Sequence, residues 1–271
     1  MKRLFTCSLL FVLAACQREA PAPQTPATPA SPSAQAQATP PVPVELKDVI
    51  ERDPRYVIGV SYPKDIDKYP GLAAELQRYT EAARSELKQA VDGLGNEKPS
   101  APYDLSLAFN TVVETPQFVA IAADGSSYTG GAHGNPLVAR FVWLPQQGKL
   151  LKASDLITDA AGWRDIADSV REQLRSALSQ RIDADGLEPA DRAEVLKSGL
   201  KMIDDGLEPK AANFEQFEPV LGADGRIAAL RFVFPPYQVG PYSDGMQAVD
   251  VPAAVLLPHV ATPYRNLFAG G

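Results

Sequence analysis

The chain has 271 residues and a formal net charge of −7. An acidic chain without a basic stripe is a poor match for nucleic acid or for anionic lipid headgroups, so we expect no nucleic-acid partner. The sequence contains only two histidines and two cysteines, which leaves few ligands for a transition metal, and we expect no cofactor.

The first 15 residues have the organisation of an export signal. Lys2 and Arg3 form a positive n-region, and Leu4 to Leu13 form an apolar stretch that is too short to span a bilayer well. The stretch ends in Leu-Ala-Ala-Cys, which resembles the lipobox of bacterial lipoproteins, with Cys16 as the lipidated first residue of the mature chain. An ordinary signal peptide with a chance cysteine and an uncut membrane anchor are the alternatives.

The residues around Cys16 also bear on location and redox chemistry. Several acyl chains hold a protein stably on a membrane, so the expected membrane partner is reached through the Cys16 lipid. Gln17 stands where an inner-membrane lipoprotein often has Asp, so the resemblance favours the outer membrane, facing the periplasm. Cys7 leaves with the signal, and the mature chain then has no cysteine for a disulfide. Loss of Lys2 and Arg3 lowers the net charge to −9.

Residues 16–44 are almost entirely Pro, Ala, Gln, Ser and Thr after the cysteine. Such a composition offers too little apolar surface to offset the entropy of ordering, so we predict a disordered tether. A proline-rich ligand for an aromatic groove is the alternative.

The remaining chain predicts an α+β fold, an antiparallel sheet with helices packed against it. Residues 45–127 read as an N-terminal α/β module and residues 128–271 as a C-terminal module, and the two can form one compact unit. Period-two and helical spacings of apolar residues predict the elements of the first part. These are a strand at Arg55–Pro63, a helix at Gly71–Leu94, and strands at Tyr103–Glu114, Gln117–Tyr128 and Pro136–Pro145.

The second part predicts a helix from about Gly162 to Ile182 and a hairpin that turns at Ala223–Gly225. A strand follows at Met246–Pro252, and a short helix or turn closes the chain. The pentapeptide DGLEP occurs twice, and its glycines and prolines are typical of helix ends rather than of a repeat array.

The segment YTGGAHGNP, Tyr128 to Pro136, is the first candidate functional site. Its candidate binding or turn residues are Tyr128, Gly130, Gly131, His133, Gly134 and Asn135. The glycines permit positive φ, which favours a sharp reversal between two antiparallel strands. A phosphate cradle is disfavoured because a strand, not a helix, follows the glycines.

Other chemistries for this segment remain open. A hydrolase could use His133 with Ser126, Ser127 or Asp124, although no G-x-S-x-G elbow is present. A metal site would need more ligands than His133 and His259 supply, so none is expected.

Two motifs in the right order give a family resemblance. Y-x-G-G-A-H-G-N, followed by a strand, a turn and L-x-x-S-D-L-I before a long helix, resembles the extracytoplasmic domain of RsiV-type anti-sigma factors. FPPYQVGPYSDGMQAVDVP is similar to the family's second motif, which adds Tyr237, Tyr242 and Gly245 as candidate binding or turn residues. The same module precedes a peptidoglycan deacetylase domain and occurs in many bacterial lipoproteins. The segment preceding the module is expected to match the family's preceding small α/β module.

The resemblance implies a recognition role, since the family's best-understood activity is binding lysozyme at the cell surface. The sigma-binding segment and a deacetylase domain have no counterpart in this sequence, so we expect a non-catalytic envelope lipoprotein. Its ligand would be lysozyme or peptidoglycan. The alternatives are a cell-wall hydrolase that uses His133 and a structural outer-membrane lipoprotein. The oligomeric state is left open.

Overall fold

A computed structural model describes residues 45–271, which fold around two sheets. The predicted signal peptide, Cys16 and the predicted tether lie outside the described residues. The first sheet has six strands in sequential order, and its strands are β1 (Val49–Asp53), β2 (Tyr56–Ser61), β3 (Tyr103–Glu114), β4 (Val119–Tyr128), β5 (Asn135–Leu144) and β6 (Lys149–Leu150).

All neighbouring strands of this sheet are antiparallel except β2 and β3, which are parallel. The exception follows from helix α1 (Pro70–Gly93), which lies between β2 and β3 in the chain and carries it back across the sheet. Its buried Leu72, Leu76 and Leu87 pack in the core on one face of the sheet. The helix predicted from apolar spacing is therefore present, and it crosses over between two parallel strands.

The second sheet has three antiparallel strands, β7 (Phe217–Leu221), β8 (Ile227–Phe234) and β9 (Gln247–Pro252). The hairpin between β7 and β8 turns at the predicted residues, and Gly225 there has a φ of 74°. The other helices are α2 (Ala153–Leu156), α3 (Ala160–Ala184), α4 (Pro189–Gly206) and α5 (Ala253–Leu256). The α+β architecture predicted from the sequence is thus confirmed.

Strand β4 lies between two hydrophobic cores. Val119 and Ile121 point into the α1 core, while Ala120 and the preceding Phe118 belong to the core formed with α3 and the three-stranded sheet. Burial on both faces explains why the first half of this strand, residues 119–123, is a continuous apolar run rather than an alternating one. The expected boundary between the two modules, after residue 127, falls inside the six-stranded sheet. Strand β4 runs to Tyr128, and β5 and β6 extend the same sheet beyond it.

Candidate functional site

The glycine segment forms the connection between β4 and β5. The strands remain paired up to Ser127 and Asn135, and the exposed residues between them reverse the chain. Gly130 and Gly131 have φ values of 100° and 98°, which L side chains adopt only with strain. Gly134 has no such backbone conformation. The reversal therefore depends on the first two glycines.

The second motif forms the connection between β8 and β9. Its prolines end β8 at Phe234, and the backbone N–H of Tyr237 donates to the Gly240 carbonyl at 2.9 Å. A short 3₁₀ turn follows at Tyr242–Asp244. Gly245, with a φ of 68°, then leads the chain into β9. The second motif is thus a bent loop between two strands.

The structure brings the two motifs into contact. His133 Nε2 lies 3.0 Å from the hydroxyl of Tyr237, 104 positions further along the chain. The imidazole also stacks on the ring of Tyr242, with centroids 3.9 Å apart and planes 15° apart. The two tyrosine rings are 5.7 Å apart. We call His133, Tyr237 and Tyr242 the aromatic cluster.

The hydrogen bonds of His133 define its neutral tautomer. Nδ1 lies 3.1 Å from the carbonyl oxygen of Gly134, which can only accept, so Nδ1 carries the proton. Nε2 then accepts from the Tyr237 hydroxyl. Among residues 45–271, neither the serines of β4 nor Asp124 hydrogen-bonds this ring. Asp124 instead accepts from Arg140 at 2.9 Å. The ring therefore bonds the neighbouring backbone through Nδ1 and the cluster through Nε2.

The remaining candidate residues border the cluster. The Tyr128 hydroxyl donates to the Gly131 carbonyl at 3.2 Å, and its ring meets Tyr103 edge-on. Asn135 is the exposed first residue of β5. These contacts hold the glycine loop on the end of the sheet.

Among the large hydrophobic side chains of the two motifs that form the cluster, that of Tyr237 is the most exposed. This residue is 56% exposed and has a φ of 73°. Positive φ in a bulky residue costs on the order of 1–3 kcal/mol, and such strain is concentrated at functional positions. The fold therefore holds a tyrosine in an unfavourable conformation where its ring remains open to solvent.

An ion network centred on the buried Arg140 and Glu218 joins the two sheets and was not predicted from the sequence. Arg140 of β5, with a side chain only 4% exposed, contacts Asp124 of β4 and Glu218 of β7. Its Nε is 3.0 Å from Glu218 without hydrogen-bond alignment, so this contact is ionic. Arg231 of β8 lies 3.8 Å from Glu218 and pairs with Asp250 of β9. Hydrogen bonding to Asp250 raises the pKa of the Arg231 guanidinium.

The second histidine lies away from the cluster. His259 Nε2 is 2.9 Å from Asp165, and Nδ1 is 3.9 Å from Asp159, the N-cap of α3. Within residues 45–271, no group of three or more His, Cys, Asp or Glu side chains is arranged to hold a metal ion. None of the helices in this range is both long and apolar enough to cross a membrane.

The fold and the cluster together define a two-sheet α+β domain with an exposed aromatic surface at one pair of strand connections. The family described as "Deacetylase PdaC" matches residues 50–136. A DUF3298 family protein from Pseudomonas aeruginosa PAO1 is 16% identical, with a TM-score of 0.54, and the match covers 85% of this chain and 99% of that chain.

A DUF3298 family member from Bacteroides fragilis NCTC 9343 is 13% identical with a TM-score of 0.47, covering 83% of this chain and 97% of the other. Comparison with curated protein sequences finds no match. The chain is therefore similar to PdaC- and DUF3298-type domains. At this identity the Pseudomonas structure supports the fold alone.

Proposed function

We propose that the protein is a non-catalytic recognition protein of the bacterial envelope, anchored through Cys16, and that it binds a basic protein of the lysozyme kind at the aromatic cluster. The observation that carries this proposal is the exposed, conformationally strained Tyr237 bonded to His133 across two distant motifs. Exposed tyrosines supply a large contact area and a polar handle, and they are enriched at binding surfaces.

The resemblance to RsiV-type domains supports the choice of ligand. The two motifs that carry the resemblance are the two connections that form the cluster. A lysozyme-binding role in that family is therefore transferred here to His133, Tyr237 and Tyr242, and to the glycine loop that supports them.

The charge of the chain also favours a basic partner. The mature form has a net charge of −9, and attraction to a basic protein accelerates association and weakens when salt screens the charges. Binding to lysozyme should therefore weaken as the salt concentration rises, while the contact with the cluster supplies specificity.

Titration calorimetry against lysozyme at two salt concentrations tests the proposal. We expect a complex with the wild type, weaker binding by His133→Ala and Tyr237→Ala, and unchanged binding by Ile50→Ala. Ile50 is a suitable control because it is exposed on β1, in a different part of the chain. Absence of measurable heat at a protein concentration of about 100 μM, where even a weak micromolar complex would form, rejects lysozyme as the ligand.

Peptidoglycan is the second candidate ligand, because an exposed tyrosine ring can pack against the apolar face of a sugar. Peptidoglycan fragments carry carboxylates and no large positive charge, so added salt would not weaken their binding to this acidic chain as it weakens the binding of a basic protein. Tyr237→Phe would keep the ring and retain this binding, whereas Tyr237→Ala would lose it. Peptidoglycan fragments titrated beside lysozyme separate the two ligands.

The alternative hypothesis, a hydrolase that uses His133, predicts a different result. His133→Ala would then abolish turnover of a cell-wall substrate while binding persists. We favour recognition because the two ring nitrogens of His133 contact the Gly134 carbonyl and the Tyr237 hydroxyl, and neither partner is a serine nucleophile or an orienting carboxylate. A structural lipoprotein role would leave every cluster variant without a binding defect.

Anchoring is tested separately. Cys16→Ser should release the protein from membranes or leave an unprocessed precursor, because serine has no thiol to accept the lipid. Membrane fractionation and the mass of the mature chain measure this. An unchanged mass and an unchanged fractionation would reject the lipid anchor.

A further inference from the structure

An open groove runs between α3, α4 and the loop that connects β8 to β9. Two adjoining concavities of about 320 and 340 Å³ share Leu178, Arg181, Gly199 and Pro241 in their walls. Apolar side chains form most of the remaining lining. The groove is therefore a largely apolar surface with three ionic residues in its lining, Arg181, Glu194 and Asp244.

The rest of the chain covers helix α4 poorly, and this leaves the groove open. The helix has 18 residues, of which only Ile203 is fully buried, while Leu196 and Leu200 are partly buried against the core. Val195, on the groove side, is 41% exposed. A helix of this length in a globular domain normally buries an apolar stripe along one face. Apolar surface of α4 thus remains available for a contact outside the chain.

The floor of the groove is set by close packing of the two helices. A Cβ atom at Gly199 of α4 would lie 2.7 Å from Leu178 of α3, so glycine permits the approach. The helices are close at this point, yet Val195 one turn earlier remains accessible. The groove is a shaped depression and not a flat exposed face.

The same loop forms both the groove and the aromatic cluster. Pro241 and Asp244 line the groove, and Tyr242 between them stacks on His133. Arg181 of α3 pairs with Asp244 at 2.6 Å, which ties this loop to the helix. The groove and the cluster are therefore neighbouring parts of one surface.

The area that a protein interface requires implies that a protein ligand would cover both the cluster and the groove. A stable complex buries about 800 Å² on each partner, whereas a buried aromatic side chain contributes roughly 150–250 Å². Three rings that already contact one another cannot supply that area. A protein bound at the cluster must extend over adjacent surface, and the groove offers apolar surface next to Tyr242.

We propose that the α3–α4 groove is a second anchor of the interface, and that it takes an apolar side chain from the same basic protein that binds the aromatic cluster. This inference rests on the proposed function. The Arg181–Asp244 pair forms the polar rim, and the groove excludes water around the inserted side chain.

The test compares Val195→Asp with Val112→Asp in lysozyme titrations. Both valines are about equally exposed, at 41% and 40%, but Val112 lies on β3 outside the groove. Each variant adds one negative charge, which by itself favours a basic partner. We expect roughly tenfold weaker binding for Val195→Asp, as for loss of an interface anchor, and near wild-type binding for Val112→Asp.

Val195→Ala provides a second measurement, with roughly threefold weaker binding expected from the smaller loss of apolar contact. Thermal melts of all variants check the fold. Equal binding by Val195→Asp, Val112→Asp and the wild type would overturn the proposal that the groove is an anchor. The proposal for the cluster would still stand if His133→Ala and Tyr237→Ala weaken binding. Absence of a wild-type complex overturns both.

Discussion

The ion network of Arg140 and the aromatic cluster connect the same two parts of the molecule in different environments. In the network, Arg140 of β5 reaches Glu218 on the three-stranded sheet. In the cluster, His133 between β4 and β5 reaches Tyr237 and Tyr242 between β8 and β9. The network lies between the sheets and the cluster lies at their exposed ends.

The difference in exposure separates the roles of the two connections. Arg140 and Glu218 are largely removed from water, so loss of one leaves the other with a single remaining charge partner, Asp124 for Arg140 or Arg231 for Glu218. The cluster remains open to solvent at Tyr237, so its polar groups can exchange one partner for water or for a ligand. Stability should depend on the first connection, and binding on the second.

Arg140→Ala is expected to have the largest effect on stability. Removal of the guanidinium leaves the largely buried Glu218 with only the more distant Arg231, 3.8 Å away, at a cost of up to about 3–5 kcal/mol in the free energy of unfolding. Urea unfolding measures the loss. The double variant Arg140→Met/Glu218→Leu removes both charges and should recover most of the stability. A loss below about 1 kcal/mol for Arg140→Ala would show that the network is not a structural connection.

Gly131→Val should have the next largest effect, because valine must adopt the positive φ of this position. The cost is on the order of 1–3 kcal/mol, although the space around a Cβ there is open. Gly134→Val is the matched control, since Gly134 lacks the positive φ and its Cβ would meet only ordinary contacts. Equal melting temperatures for the two variants would contradict a conformational role for Gly131.

Two replacements of Tyr237, by glycine and by alanine, test the strain in its backbone, because the positive φ decides which variant is more stable. Glycine is normally less stable than alanine in a folded chain by about 0.5–1 kcal/mol. At a φ of 73° the order should reverse, with Tyr237→Gly more stable than Tyr237→Ala by about 1 kcal/mol. Both variants should lose binding. If alanine is the more stable replacement in urea unfolding, the strain assigned to Tyr237 is wrong.

His133→Ala should change stability least, by no more than about 0.5 kcal/mol, because the ring lies on an exposed loop. The expected effect is on binding, through loss of the stack with Tyr242 and the bond to Tyr237. Melting and titration of the same sample check both. A stability loss comparable to that of Arg140→Ala would remove the distinction between the two connections.

The sequence predicted those parts of the fold that depend on local spacing. Helix α1 follows from apolar residues at helical intervals, and β3 follows from its alternation. Strand β1 was not predicted because its residues are mixed and half-exposed. The parallel pairing of β2 with β3 depends on where the chain returns after α1, which no local pattern specifies.

The candidate site shows the same limit. The glycines at 130 and 131 indicated a turn from local conformational needs alone. His133 and Tyr237 are 104 positions apart in the chain. Each motif could therefore be identified from the sequence, but the contact between the two motifs could not be predicted. Arg140 was missed because a single arginine in a strand reads as a solvent-facing residue. Its burial depends on Glu218, which belongs to the other sheet.

The burial of β4 on both faces has a consequence for how the domain can be divided. The stretch that matches the PdaC family ends at residue 136, only one residue after β5 begins. A fragment cut there would lack most of β5 and would leave β4 with an unpaired edge. Phe118 and Ala120 would then face water instead of the core behind them. The boundary of the family match therefore falls inside one compact unit, and a chimaera joined at that boundary would carry an aggregation-prone strand.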